Sequence, residues 1–147
     1  MALNELLSKF RKNTSEAESK FLAVQIDAEF VKTAVWKVAE QTTKLVTVGS
    51  TQEWDGTSTE ILLEAVDTSL TQALEQLPES FGSDPDQVIF GLPETWASTG
   101  GVVPARLTDL KTLCERMAFR PLGFVVTTEA ITHYLKIKEG TPLTAIL

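Results

Sequence analysis

The hydrophobic and polar positions of this chain change period along its length. Three short runs rich in β-branched and aromatic residues come first, at residues 21–27, 31–38 and 43–49. The gaps between them are too short for crossover helices, so the sequence predicts an antiparallel three-stranded meander. The first run does not alternate near its start, which indicates a central strand that is covered on both faces.

A helical period begins after the third run. A Ser/Thr-x-x-Glu capping box at residues 57–60 precedes an amphipathic pattern that ends at Pro78. A turn rich in Gly, Ser, Asp and Pro then leads into the rest of the chain. The predicted elements there are a buried strand at 87–92, a helix at 104–118, a strand at 122–126, a short helix at 129–136 and a strand at 142–147.

This order predicts an α/β fold. Three antiparallel strands followed by alternating helices and strands (β-β-β-α-β-α-β-α) give a mixed five-stranded sheet with helices on both faces, in the ribonuclease H-like arrangement. We expect this domain to span residues 21–147.

Residues 1–20 are predicted to form an amphipathic leader helix and a polar linker. Apolar side chains recur at helical spacing at Leu3, Leu6, Leu7 and Phe10, and three cations, Lys9, Arg11 and Lys12, lie in the last turn of this pattern. Such a segment can contact a protein partner or lie peripherally on a membrane, and Leu3, Leu7 and Phe10 are then the contact residues. The alternatives are a helix that packs on its own domain and a mobile one.

Composition and charge narrow the possible functions. A chain of 147 residues with 43% hydrophobic residues suits one globular domain. The single cysteine, Cys114, excludes an internal disulfide, and the single histidine, His133, excludes a His-rich zinc site. No apolar run reaches the roughly 20 residues that cross a bilayer, and charges interrupt the first residues where a secretory signal needs an apolar core. The sequence therefore indicates a cytoplasmic protein.

The net charge of −7 is unevenly distributed. No Lys or Arg occurs between Lys44 and Arg106, whereas ten acidic residues do: Glu53, Asp55, Glu60, Glu64, Asp67, Glu75, Glu79, Asp84, Asp86 and Glu94. Nucleic-acid backbones are bound by Lys and Arg, so we expect no nucleic-acid partner.

Two stretches resemble the actin-like ATPase superfamily, which includes actin, the cell-division protein FtsA and the pilus-assembly protein PilM. Residues 88–96 (VIFGLPETW) are similar to the strand and following proline before the second helix of those ATPases. Residues 110–135 are similar to their helix, strand and Glu-x-x-Ala-like helix, with Glu129, Ala130 and Tyr134 at the corresponding places. The resemblance covers about residues 20–147.

The resemblance implies that this chain is the first half of such an ATPase and ends before the second phosphate loop. ATP and Mg²⁺ are then expected only with a completed cleft, and no cofactor is expected for this chain alone. FtsA- and PilM-type proteins act as cytoplasmic assembly platforms, so the resemblance implies a scaffold role rather than an enzyme. The implied partner is a membrane-anchored assembly protein.

The first phosphate loop of the family departs from its pattern here. In the family, β1 leads into an Asp-x-Gly-Thr turn whose amide groups hold phosphate. Asp27 is present, but Ala28, Glu29 and Phe30 follow it without a glycine. By resemblance, Asp27 and Lys32 are the candidate cofactor-binding residues on the phosphate side of this turn. The missing glycine and the added carboxylate argue against nucleotide binding.

Asp27 and Glu129 are the candidate catalytic residues, and Asp27 is also a candidate metal ligand. With Glu94 they occupy places suitable for a metal-dependent nuclease of the ribonuclease H or Holliday-junction-resolvase type, which is the alternative function. A structural alternative remains for each: a turn aspartate that bonds the backbone, and a first-turn glutamate of a helix. A third possibility is a chaperone-like adaptor. Trp54 and Trp96 are predicted in loops, where aromatic side chains often contact partners.

Overall fold

The computed structural model describes residues 19–40 and 42–129. The strands within these ranges are β1 (Ser19–Ile26), β2 (Phe30–Ala39), β3 (Thr42–Val48), β4 (Gln52–Glu53), β5 (Gln87–Leu92), β6 (Ala97–Ser98), β7 (Gly101–Val102) and β8 (Arg120–Val126). Two α-helices lie wholly within these ranges, α1 (Thr59–Glu75) and α2 (Pro104–Met117), and residues 127–129 at the end of the described chain are also helical. Short 3₁₀ helices lie at Glu79–Phe81 and Glu94–Trp96.

Six strands form one mixed sheet in the order β3-β2-β1-β5-β8, with β4 paired to β2. β1 and β2 are antiparallel, as are β2 and β3, so the predicted meander is confirmed. β1, β5 and β8 run parallel to one another. β6 and β7 form a separate two-stranded hairpin. The predicted α/β class with a mixed sheet is confirmed, but the sheet of the described residues has six strands rather than five, because the two-residue strand β4 pairs with β2.

The central strand β1 contributes buried side chains to both faces of the sheet, because a hydrophobic cluster packs on each face. Leu22, Val24 and Ile26 point into the larger core cluster, to which both α-helices also contribute. Phe21, on the opposite face, packs in a smaller cluster with Val38, Ile89 and Val125. The lack of alternation at the start of β1 therefore does reflect burial on both faces, as the sequence predicted.

The helix ends follow local sequence signals with one shift. The side chain of Ser58 caps α1 by accepting a hydrogen bond from the Ile61 amide at 3.4 Å. The cap is thus one residue later than the predicted box, and Glu60 is exposed. Pro104 opens α2 at a position where its missing amide hydrogen costs nothing. α2 ends at Ala118, which adopts a left-handed conformation with φ of 56°.

Some predictions fall partly or wholly outside the described residues. β1 begins at Ser19, two residues inside the predicted linker. The leader with Leu3, Leu7 and Phe10, and the predicted strand at 142–147, lie outside the described ranges; of the predicted helix at 129–136 only Glu129 lies inside them. Both described α-helices pack on the larger cluster, so the expectation of helices on both faces stays a prediction. Within residues 19–40 and 42–129, no helix has the length and hydrophobicity needed to cross a membrane.

Candidate functional site

The candidate site is the edge of the sheet where the parallel strands β1, β5 and β8 end. In mixed and parallel sheets, ligands bind outside the carboxyl ends of the strands. Asp27 follows β1, Glu94 lies in the turn after β5, and Glu129 comes three residues after β8. The Thr128 hydroxyl donates to Glu94 Oε1 at 2.8 Å, which joins the ends of β5 and β8. The fold thus places the three predicted carboxylates at one edge.

The turn between β1 and β2 is closed by its own hydrogen bonds. The Asp27 amide donates to the Phe30 carbonyl at 2.9 Å. The Ala28 amide donates to Asp27 Oδ1 at 2.7 Å, so the carboxylate bonds the turn backbone, as the structural alternative predicted. Two amide groups that a phosphate loop would offer to its ligand are therefore already bonded within the protein.

A polar row crosses the sheet beside this turn, on the face of the smaller cluster. Lys32 is paired with Gln25 on β1, and Gln25 is paired with Gly91 on β5. Gly91 lacks a side chain, and a Cβ there would lie 3.3 Å from Thr127 Oγ1. That hydroxyl oxygen is buried without a hydrogen-bond partner. Lys32 itself is exposed, so the row reaches solvent at its Lys32 end, next to the turn.

Trp54 and Trp96 lie outside the regular strands of the main sheet, as predicted, but their rings are buried. They are 6% and 3% exposed and belong to the larger core cluster. The rings contact edge to face, with centroids 6.1 Å apart. The guanidinium carbon of Arg106 lies 4.7 Å from the Trp96 centroid and 5.9 Å from that of Trp54. We call Trp54, Arg106 and Trp96 the arginine clamp; the partner-binding role of its tryptophans stays a prediction, and packing is the role observed.

An open cavity of about 510 Å³ lies next to the turn, lined by Glu29, Phe30, Thr51, Glu53, Trp54 and Asp55. Its three carboxylates are exposed. Asp55 accepts hydrogen bonds from the amides of Ser58 at 2.8 Å and Thr57 at 3.0 Å, and these bonds lower the pKa of its carboxyl group. The cavity is therefore anionic at neutral pH, and its charge opposes the entry of phosphate groups.

The described part of the chain contains no group of three or more His, Cys, Asp or Glu side chains arranged to hold a metal ion. Asp27, Glu94 and Glu129 share an edge but do not form such a group. Cys114 is half-buried on α2, and burial raises the pKa of its thiol. The metal and catalytic roles of Asp27 and Glu129 stay predictions.

Three features of this site were not predicted from the sequence. The first is Arg106, which lies at the centre of the clamp. The others are Gly91 on β5 and Thr127, whose hydroxyl lies close to the position that a side chain at Gly91 would occupy. Arg106 is the first cation after the long acidic segment, which is a signal that its charge has a local role. Gly91 and Thr127 carry no comparable signal, because their proximity depends on the pairing of β5 with β8.

The sequence matches no protein-family model and no curated protein.

Proposed function

We propose that this chain is a protein-binding assembly module with the ribonuclease H-like fold of the first half of an actin-like ATPase, and that it binds no nucleotide by itself. The proposed class is that of the FtsA- and PilM-type platforms of cell division and pilus assembly. Its partner is a protein of a membrane-associated assembly.

The strand order supports the fold proposed. A ribonuclease H-like sheet needs three antiparallel strands at one side, with the first strand central and parallel to the two strands that follow the helices. The order β3-β2-β1-β5-β8, with β1, β5 and β8 parallel, fits this requirement. α1 joins β4 to β5 and α2 joins β7 to β8, so each parallel connection contains a helix.

The closed turn after β1 is the observation that carries the functional proposal. A phosphate loop needs several free amides and a close approach of its backbone to the ligand. Here the Asp27 and Ala28 amides are bonded within the turn, and Glu29 presents an exposed carboxylate. With Glu53 and Asp55 in the adjoining cavity, the local charge repels a triphosphate. A platform role that needs no nucleotide fits these features.

Thermal unfolding with nucleotide tests this proposal. A ligand at 100 times its Kd would add about 2.7 kcal/mol to the free energy of unfolding. For a domain of this size that is roughly 5–10 °C in Tm. We expect no such shift with MgATP, MgADP, Mg²⁺ or Mn²⁺. A saturable shift with MgATP that is lost in Asp27→Asn would overturn the proposal, and a shift with Mn²⁺ alone that is lost in the same variant would favour the nuclease.

The binding half of the proposal needs a second experiment. Tagged wild-type chain and a Leu7→Asp/Phe10→Asp variant would be cross-linked and captured side by side from the source cells. We expect a membrane-associated assembly protein to be captured by the wild type and lost with the variant, because the substitutions place two negative charges in the apolar stripe predicted in residues 1–20. Identical partners for both proteins would contradict the predicted role of Leu7 and Phe10.

A further inference from the structure

We propose that Arg106 is a positioning residue that keeps the β1–β2 turn closed by fixing Trp54 against it. This inference rests on the proposed function, because the closed turn is what distinguishes the chain from a nucleotide-binding protein. It adds a conformational device: the state of the turn is set from α2, an element that follows the turn by more than seventy residues.

Trp54 is attached to the turn at two points. Its indole Nε1–H donates to the Asp27 carbonyl at 2.7 Å, and its backbone amide donates to the Glu29 carbonyl at 3.0 Å. The two acceptors flank Ala28, so Trp54 spans the turn. If the turn opened and either carbonyl rotated away, the buried Trp54 would keep a hydrogen-bond donor without a partner. Such an unpaired buried donor costs free energy, so the closed turn is favoured.

Gly56 presses on the same turn from the loop that follows Trp54. Its φ of 76° lies in the left-handed region, and a Cβ at this position would lie 2.7 Å from the Ala28 carbonyl oxygen. The loop backbone can therefore approach the turn this closely only because the residue is glycine. Trp54 and Gly56 thus contact the first three residues of the turn, Asp27, Ala28 and Glu29.

Arg106 holds this loop in place from α2. Its Nη2 donates to the Gly56 carbonyl at 2.7 Å, and its Nη1 donates to Asp109 Oδ2 at 3.2 Å. The other oxygen of Asp109 accepts from the Thr59 hydroxyl at 2.8 Å, at the start of α1. These bonds hold the guanidinium group in place, with its carbon over the rings of both clamp tryptophans.

The clamp therefore links α2 and the segment after β5 to the turn. Arg106 belongs to α2, Trp96 belongs to the segment after β5, and Trp54 bonds the turn itself. The backbone carbonyl of Trp96 accepts a hydrogen bond from the Val103 amide at 2.8 Å, and Val103 directly precedes α2. Displacing Arg106 removes the ring contacts and the Gly56 bond together, and the attachment of Trp54 to the turn then loses its support.

Hydrogen exchange of the Trp54 indole tests the inference without any ligand. Arg106→Met keeps an apolar chain but removes the guanidinium, and Arg116→Met is the matched control on the exposed side of the same helix. We expect the exchange of the Trp54 indole hydrogen, followed by NMR, to be about tenfold faster in Arg106→Met and unchanged in Arg116→Met. The Trp36 indole, which stacks on Phe21 away from the clamp, should not change.

Backbone amides of residues 22–24 in the central strand report global unfolding. If the Trp54 indole accelerates only in step with these amides, or not at all, Arg106 does not position the turn. Should Arg106→Met fail to fold, Arg106→Lys keeps the charge but not the planar fork, and it should give a smaller acceleration confined to Trp54. A nucleotide-induced shift in the wild type would overturn the proposed function and leave this result standing, so the two failures are distinguishable.

Discussion

At the scale of single residues, Gly49 shows how tightly the sheet packs against α1. Its amide donates to the Thr33 carbonyl at 2.9 Å. The side chains of Thr33 and Ser69 are buried and lie in hydrogen-bond contact, with their oxygens 2.8 Å apart. A Cβ on Gly49 would lie 2.0 Å from the Ser69 carbonyl oxygen and 2.5 Å from Thr33 Oγ1. The site has no room for a methyl group.

We expect Gly49→Ala to lower the free energy of unfolding by about 3 kcal/mol, because the added methyl must displace the α1 backbone or break the Thr33–Ser69 pair. Urea denaturation measures this change. Gly100→Ala is the matched control, since a Cβ there meets nothing within 4 Å, and its effect should stay within about 0.5 kcal/mol. Equal effects of the two substitutions would show that the contact at Gly49 relaxes freely.

The position of a single residue could be predicted when the pattern that determines it lies in the neighbouring sequence. Asp27 could be placed at the end of β1 from the sequence, because a strand pattern stops there. The burial of Trp54 and Trp96 could not, because it arises from packing in the larger core cluster and against Arg106, which is distant in the sequence. Loop position alone says little about exposure when a cation and a second ring cover an aromatic side chain.

At the scale of elements, an ion pair joins the starts of β5 and β8. Arg120 donates from Nε and Nη2 to the two oxygens of Asp86, both at 2.8 Å, and its amide donates to the Asp86 carbonyl at 2.8 Å. The arginine hydrogen bonds lower the pKa of the Asp86 carboxyl group, although both side chains are exposed. The pair fixes the register of the last parallel strand at its first residue.

The lowered pKa of Asp86 predicts a specific pH dependence. A carboxyl group with a depressed pKa in the folded state stabilises the fold above its ordinary pKa and loses this contribution as the pH falls through the folded value. The difference in unfolding free energy between wild type and Arg120→Ala should therefore be present at pH 7 and shrink below about pH 4. Urea unfolding across this range measures it. In an Asp86→Asn background the effect of Arg120→Ala should not depend on pH, and a difference that grew in acid would contradict the assignment.

Helices and strands were predicted where they are long enough to show a hydrophobic period in the sequence. β1, β2, β3, α1, β5, α2 and β8 lie within a few residues of the ranges predicted from hydrophobic spacing. β4, β6 and β7 were missed because strands of two residues have no period. The cap of α1 shifted from Thr57 to Ser58 because Asp55 binds the amides of both residues, a competition that the capping-box pattern does not include.

At the scale of the whole molecule, negative charge dominates one continuous half of the described chain. All ten acidic residues between Glu53 and Glu94 are exposed. Two of them are ion-paired, Glu60 with Arg116 at 3.7 Å and Asp86 with Arg120 at 2.8 Å. The acidic residues of this segment are therefore all at the surface, including those of α1 and those beside the cavity at the turn.

This charge distribution predicts that the protein binds neither DNA nor RNA. Non-specific binding depends on Lys and Arg that displace counterions, and it has a Kd of roughly 1–100 µM when such residues are grouped. We expect no change in the fluorescence anisotropy of labelled single- or double-stranded DNA, or of RNA, up to about 100 µM protein. A basic peptide serves as the positive control. Binding that weakened steeply with added salt would reveal a cationic surface and would revive the nuclease.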